Sequence, residues 1–172
     1  MQVRGSIAQL NVSGGGVPKL PVLEAQVGEL GLAGDQQHNT RLHGGPARAV
    51  SLFAIERIAA LAAEGHPIVP GGTGENITTR GIDWDEVLPG VCVRLGAECV
   101  LEVTSFVAPC ATIERNFIDG GFSRMSENAY PGWARVYARV LVPGLVRAGD
   151  PIEVLAALVS AEQVKSDFVH RH

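Results

Sequence analysis

The alternation of apolar and polar positions divides this chain into many short pieces. Gln2 to Val12 carries the two-residue period of a strand and is closed by Ser13-Gly14-Gly15-Gly16. Pro21 to Val27, reading PVLEAQV, predicts a second short strand in which Glu24 and Gln26 supply the polar positions. Ala49 to Phe53 reads as a buried strand. Ile55, Ile58, Ala59 and Ala62 then fall at the i, i+3, i+4, i+7 spacing of an amphipathic helix, which Gly65 ends. Val87 to Val103 predicts two strands around Leu95-Gly96-Ala97, entered through Pro89-Gly90. A similar phrase returns from Val140 to Leu155, VLVPGLVRAGDPIEVL. It reads either as an internal repeat or, more economically, as a second hairpin meeting the same turn constraints. Arg115 to Asn128 is a polar segment expected to form a short helix or lid, and Tyr130 to Val142 returns to strand. Short strands at roughly ten-residue spacing argue for a barrel or a strongly curved sheet, so the fold class is mainly β. Residues 1–155 form the predicted domain, and residues 156–172 a polar tail with a short helix beginning near Ser160.

Composition narrows the classes. A chain of 172 residues that is 46% hydrophobic, with a net charge of −4, is an ordinary globular domain long enough to bury a core. The pI near 5.7 lacks the basic footprint of a nucleic-acid binder. No run of 18 apolar residues suggests a membrane span, and the N-terminus reads as a first strand, not a secretory leader. Three cysteines fit no disulfide framework and suggest cytoplasmic thiols. Cys92 and Cys99 lie inside predicted strands and read as core thiols. Cys110 follows Pro109 at a strand exit, where a thiol can face a pocket.

Candidate chemistry concentrates in loops. Gly31 to Phe53 holds Asp35, His38, Arg41, His43 and Arg48 among glycines and a proline that forbid a long regular element. Lys19 stands just beyond the glycines of residues 14–16. Pro70 to Thr79, PGGTGENITT, resembles a phosphate loop without its Lys-Ser/Thr pair, which argues against nucleotide hydrolysis. It still offers backbone N–H groups, the Asn76 amide and the Thr78 hydroxyl to an anionic or heterocyclic ligand. By residue type, Cys110, His43 and Asp35 compose a cysteine-nucleophile triad, and Asp35, His38 and His43 a zinc set; neither has a recognised local signature. His66 reads as a solvated loop histidine, and the terminal HRH as a solvated terminus.

Several of these stretches together resemble a known family. Asn11-Val12-Ser13 with Gly15-Gly16-Val17-Pro18-Lys19, Gly34-Asp35-Gln36, His43-Gly44-Gly45-Pro46 and Ala49-Val50 are similar to the N-terminal half of a MOSC domain, named after the C-terminal region of molybdenum cofactor sulfurases. Gly71 to Thr78, Pro109-Cys110, Tyr137-Ala138-Arg139-Val140 and Gly149-Asp150 follow in the family's order. The resemblance spans roughly residues 5–155 and implies a stand-alone, bacterial-type member: a barrel with a few peripheral helices. It also implies the molybdenum cofactor, a pterin dithiolene carrying a phosphate, with Cys110 as the protein's thiolate ligand to molybdenum. Where many relatives carry a basic residue before Pro-Cys, this chain has Phe106-Val107-Ala108, so Lys19, Arg41, Arg48 or Arg115 must supply the compensating charge. These 172 residues are not expected to hold the pyridoxal-phosphate domain of the full sulfurases as well.

The implied activity is reduction of N-hydroxylated compounds such as hydroxylaminopurines or amidoximes, with electrons from a flavin or iron–sulfur partner. In this reading Lys19, Arg41, Arg48, Asn76 and Thr78 hold the cofactor, while Asp35 and His43 close the substrate side and His43 supplies a proton. The alternative is a carrier that passes the cofactor, or a persulfide on Cys110, to a client enzyme. Both readings expect Cys110, Asn76 and the His43 loop to line one cleft.

Overall fold

The computed structural model describes residues 4–36 and 45–155. In chain order the strands are β1 (Arg4–Val12), β2 (Leu20–Val22), β3 (Glu24–Gly28), β4 (Gly31–Leu32), β5 (Val50–Ala54), β6 (Ile77–Arg80), β7 (Cys92–Leu95), β8 (Cys99–Phe106), β9 (Val136–Val142), β10 (Gly144–Arg147) and β11 (Pro151–Leu155). One α-helix, α1 (Ile55–Ala63), follows β5, and short 3-10 turns complete the described elements. Seven strands run in the order β11-β7-β8-β9-β5-β6-β1, and pairing of β1 with β11 closes them into a barrel; β2 extends β1 outward. A second small sheet has the order β10-β3-β4.

The barrel pairs are antiparallel except β5 with β6. Two parallel neighbours need a crossover, and α1 begins it immediately after β5. Its inward face buries Ile58 and Leu61. β5 is buried at every position, which explains why its sequence shows no alternation. Ile7, Leu10, Leu52, Phe53, Ile77, Leu95, Leu101 and Ile152 belong to the fully buried core. Phe53 meets Trp84 edge to face at 5.8 Å between ring centroids.

The predicted helix matches α1, and the predicted β7–β8 hairpin forms around residues 96–98. Four expectations are corrected. Pro21 to Val27 is two strands, because the chain leaves β1 after Val22 and joins β10 from Glu24 onward. The Val140–Leu155 echo is no hairpin: β9 pairs with β8, β10 with β3, and β11 with β7 and β1. The strand after Tyr130 starts only at Val136, since Pro131 and the positive-φ Gly132 hold a turn. The polar segment beginning at Arg115 is a run of 3-10 turns, Ala111–Asn116, Ile118–Gly120 and Phe122–Met125. The predicted tail helix lies outside the described residues.

The directions of the strands matter most for function. Leu10, Ile77, Leu52, Val136 and Phe106 pair in one row across β1, β6, β5, β9 and β8; the end of β1 and the start of β6 reach that row from one side, and the start of β9 and the end of β8 from the other, so residues far apart in sequence converge along it.

Candidate functional site at one end of the barrel

The 71–76 loop leads into β6 and is held from three sides. Asn11, at the end of β1, donates from its amide to the Glu75 carbonyl at 3.1 Å and to Thr78 Oγ1 at 3.0 Å. Asn76 donates to the Asn11 carbonyl at 3.2 Å, while its oxygen accepts the Ser51 N–H at 3.1 Å. Ser51 Oγ donates to the Gly74 carbonyl at 3.1 Å. The glycines of this loop are there for space. At Gly71, φ is +80° and a Cβ would lie 2.4 Å from the Lys19 carbonyl; at Gly74, φ is +91° and a Cβ would lie 2.8 Å from Val17.

Asp35 closes the network on the side of the 13–19 turn. Its Oδ2 accepts from Lys19 Nζ at 2.7 Å and from the Asn76 amide at 2.9 Å, and its Oδ1 accepts the Ser13 N–H at 2.9 Å. The Lys19 and Asp35 side chains are only 9% and 5% exposed, so this is a buried ion pair with its lone pairs well used.

Cys110 stands on the other side. β8 pairs with β9 as far as Phe106, and Val107 N–H still donates to the Arg135 carbonyl at 2.9 Å. Ala108 and Pro109 then carry the chain out to Cys110, which is half-buried, with Sγ 2.9 Å from Thr112 Oγ1. Arg135, just before β9, is 8% exposed and donates to the Thr73 carbonyl. Arg48, on the 3-10 turn Pro46–Arg48 that leads into β5, lies with its guanidinium 5.5 Å from the Tyr137 ring centroid.

These groups act on one another. Burial lowers the Arg135 guanidinium's proton affinity, while Tyr137, Glu75 and Cys110 raise it. Burial pushes the Tyr137 phenol up, opposed by Arg135 and Arg48 and reinforced by Cys110. Glu75 is wholly buried, and its carboxyl is pushed up to about 7 by desolvation, against the pull of Arg135 and of the Gly71 and Thr73 hydrogen bonds. Its Oε1 accepts from Gly71 N–H at 2.9 Å and Thr73 Oγ1 at 3.4 Å; its Oε2 has no partner. The other two thiols lie deeper than Cys110. Cys92 and Cys99 are buried, and desolvation raises both, Cys99 to about 12.

The structure therefore joins Lys19, Asp35, Asn76 and Thr78 in one network and sets Arg48 and Cys110 about Tyr137 and Arg135. Asn76 and Thr78 are buried with their polar side chains bonded to protein, so they build the frame of the loop and do not line a cleft with Cys110 as ligand-facing groups. Asp35 likewise spends its carboxylate on Lys19, Asn76 and Ser13. His38, Arg41 and His43 lie outside the described residues; among those described, no three His, Cys, Asp or Glu side chains cluster as a metal-ligand set. Arg115 is exposed on the 3-10 turn after Cys110. His66 is no solvated histidine: its side chain is 14% exposed, its Nδ1 accepts the Ile118 N–H, and its ring packs edge-on against Phe117.

Arg135 and the role of Glu75 escape a sequence reading. The one available signal is a lone arginine between Ala134 and Val136, both buried, in an otherwise apolar approach to a strand.

A closed barrel with a cysteine, an arginine and a glycine-rich Glu-Asn loop gathered where its strands begin and end defines the class. The MOSC domain model matches residues 39–153, and the chain belongs to this family. Among curated proteins it is similar to Protein YiiM of Escherichia coli strain K12, 30% identical over 156 residues, covering 88% of this chain and 64% of that protein. A Gibberella moniliformis protein named Reductase is 30% identical over 130 residues, 73% of this chain and 22% of that one. The chain thus spans less than two thirds of the length of these relatives. Among solved structures, that of a hypothetical protein has a TM-score of 0.73 at 26% identity, covering 96% of this chain and 74% of that one. YiiM from Geobacillus stearothermophilus has a TM-score of 0.70 at 22% identity, covering 98% and 84%, and shares the fold.

Proposed function

We propose that this protein binds the molybdenum cofactor through Cys110 and reduces N-hydroxylated compounds. The observation that carries the reading is Cys110 itself: a half-buried thiol at the strand ends of a MOSC barrel, in the electrostatic company of Arg135 and Tyr137. The residues present fit the group. One soft thiolate suits a metal whose other ligands are sulfur and oxygen of the cofactor. Arg135, with Arg48 nearby, suits the negative charge of a dithiolene and phosphate. The bound cofactor supplies the two-electron redox chemistry.

The chain's own residues then divide the work. Cys110 ligates; Arg48 and Arg135 orient and neutralise; Arg41 adds positive charge, while the charge of Lys19 is spent on Asp35. Asn76, Thr78 and Asp35 keep the loop and Lys19 in place. His43 hands over a proton as the N–O bond breaks. The reaction balances as R–NHOH plus two electrons and two protons giving R–NH2 and water. A flavin or iron–sulfur protein supplies the electrons. The three unbridged cysteines of this chain, Cys92, Cys99 and Cys110, suit a reducing cytoplasm.

Protein made in a host that synthesises the cofactor should copurify with molybdenum and pterin, and Cys110→Ala should lose the metal. Reduction of an amidoxime with an artificial electron donor should follow molybdenum content. Full retention of molybdenum by Cys110→Ala would remove Cys110 as ligand. Stoichiometric transfer of cofactor to a client enzyme without turnover would replace the reductase by a carrier.

A further inference from the structure

Glu75 is the one wholly buried carboxylate whose second oxygen has no partner among the described residues. A buried unpaired acceptor is costly, and one that a fold retains calls for an explanation. Its surroundings limit what that use can be. Oε1 ties together the turn of Gly71 and Thr73, and the Thr73 carbonyl of the same turn accepts from Arg135. Tyr137, Glu75 and Cys110 in turn all act on Arg135. One guanidinium, bonded to the turn that holds Glu75, therefore feels both the interior carboxyl and the cysteine side of the site, where a ligand's negative charge is expected.

We propose that Glu75 is a proton store coupled to that face: when an anionic group is held beside Arg135 and Cys110, Glu75 takes up a proton from solvent. The physical reason is competition for one cation. With the face empty, Arg135 stabilises the Glu75 carboxylate. A second anion adds its own repulsion and draws on the same guanidinium, so the buried carboxylate becomes harder to maintain and neutralises. Glu75 stands close enough to its own balance point for a modest change to tip it. The other charged or titratable groups around the loop are the Lys19–Asp35 pair behind Asn76, and Tyr137, Cys110 and Arg48 on the side of β9. None of these offers a direct hydrogen bond to Oε2. The inference rests on the site receiving an anion, and it leaves a proton stored in the wall of a site whose proposed reaction consumes protons.

The test places the anion covalently, so it needs no ligand affinity. Cys110 of the full chain is alkylated with iodoacetate, which leaves a carboxylate, or with iodoacetamide, which leaves a neutral amide; buried Cys92 and Cys99 are spared, as mass spectrometry verifies. The Glu75 carboxyl carbon is then titrated by carbon-13 NMR in both adducts, assigned through its own backbone and cross-checked by its loss in Glu75→Gln. The expected result is a midpoint higher by roughly half a unit to one unit in the carboxymethyl adduct. Coincident midpoints would overturn the coupling. A Glu75 carboxyl that stays ionised down to the ordinary carboxylate range in both adducts would overturn the store altogether. Neither result bears on whether Cys110 binds molybdenum, which metal content decides separately.

Discussion

The Lys19–Asp35 pair allows a sharp test of how the site is held. Replacing Asp35 by alanine strands three donors at once: Lys19 Nζ at 2.7 Å, the Asn76 amide at 2.9 Å and the Ser13 N–H at 2.9 Å. With the lysine side chain only 9% exposed, its ammonium is left buried without its anion. Breaking a buried pair in this way costs about 3–5 kcal/mol, against roughly 0–1 kcal/mol for an exposed one. Lys19→Met should cost less, because Asn76 and Ser13 still donate to the carboxylate. The double variant should be less destabilised than the sum of the singles, with a coupling of about 2 kcal/mol or more. Urea unfolding followed by Trp84 and Trp133 fluorescence gives all four values from linear extrapolation. A cost below about 1 kcal/mol for Asp35→Ala, or additive singles, would refute a buried, network-bearing pair.

Two further predictions concern the adjacent loop. Glu75→Gln should stabilise the protein increasingly as pH rises. The wild-type carboxyl is raised from 4.5 to about 7 in the fold, so its contribution is fully present below 4.5 and is lost as pH rises through 7. The variant does not titrate there, and its advantage should reach about 3 kcal/mol above neutrality, read from urea midpoints between pH 5 and 8; a difference that does not change with pH would refute the raised carboxyl. Gly71→Ala should cost about 2 kcal/mol or more in thermal unfolding, because the added Cβ meets the Lys19 carbonyl at 2.4 Å on a backbone with φ of +80°. A neutral outcome would mean that the loop moves freely away from Lys19.

How far the site could be read in the sequence depends on which residues carry their partners nearby. Short alternating pieces separated by glycine and proline are local signals, and they lead to a β barrel with one helix. Pro109-Cys110 at a strand exit is equally local. Val140–Leu155 misleads because turn chemistry fixes where a strand ends but not whom it pairs with, and β9, β10 and β11 each find distant partners. Arg135 is hidden for the same reason. It meets the Thr73 carbonyl across 62 residues, and nothing near it in sequence calls for a charge. Asp35 is conspicuous as a polar residue in a glycine-rich loop, yet its structural job emerges only when β1 and β6 bring Ser13 and Asn76 to it.

The same topology explains why buried charge can be kept here. β6 and β9 both begin on the row of Leu52, and β1 and β8 run out on that row from opposite directions, so backbone groups freed from the ladder gather beside it. The 71–76 loop uses those groups: its carbonyls accept from Asn11, Ser51, Lys19 N–H and Arg135, and each cation enters with an acceptor already in place. Lys19 has a full anionic partner in Asp35, whereas Arg135 meets the neutral Thr73 carbonyl and forms no ion pair among the described residues. That asymmetry separates a closed structural pair from a cation held by a neutral acceptor, and it is the second that shares its field with half-buried Cys110.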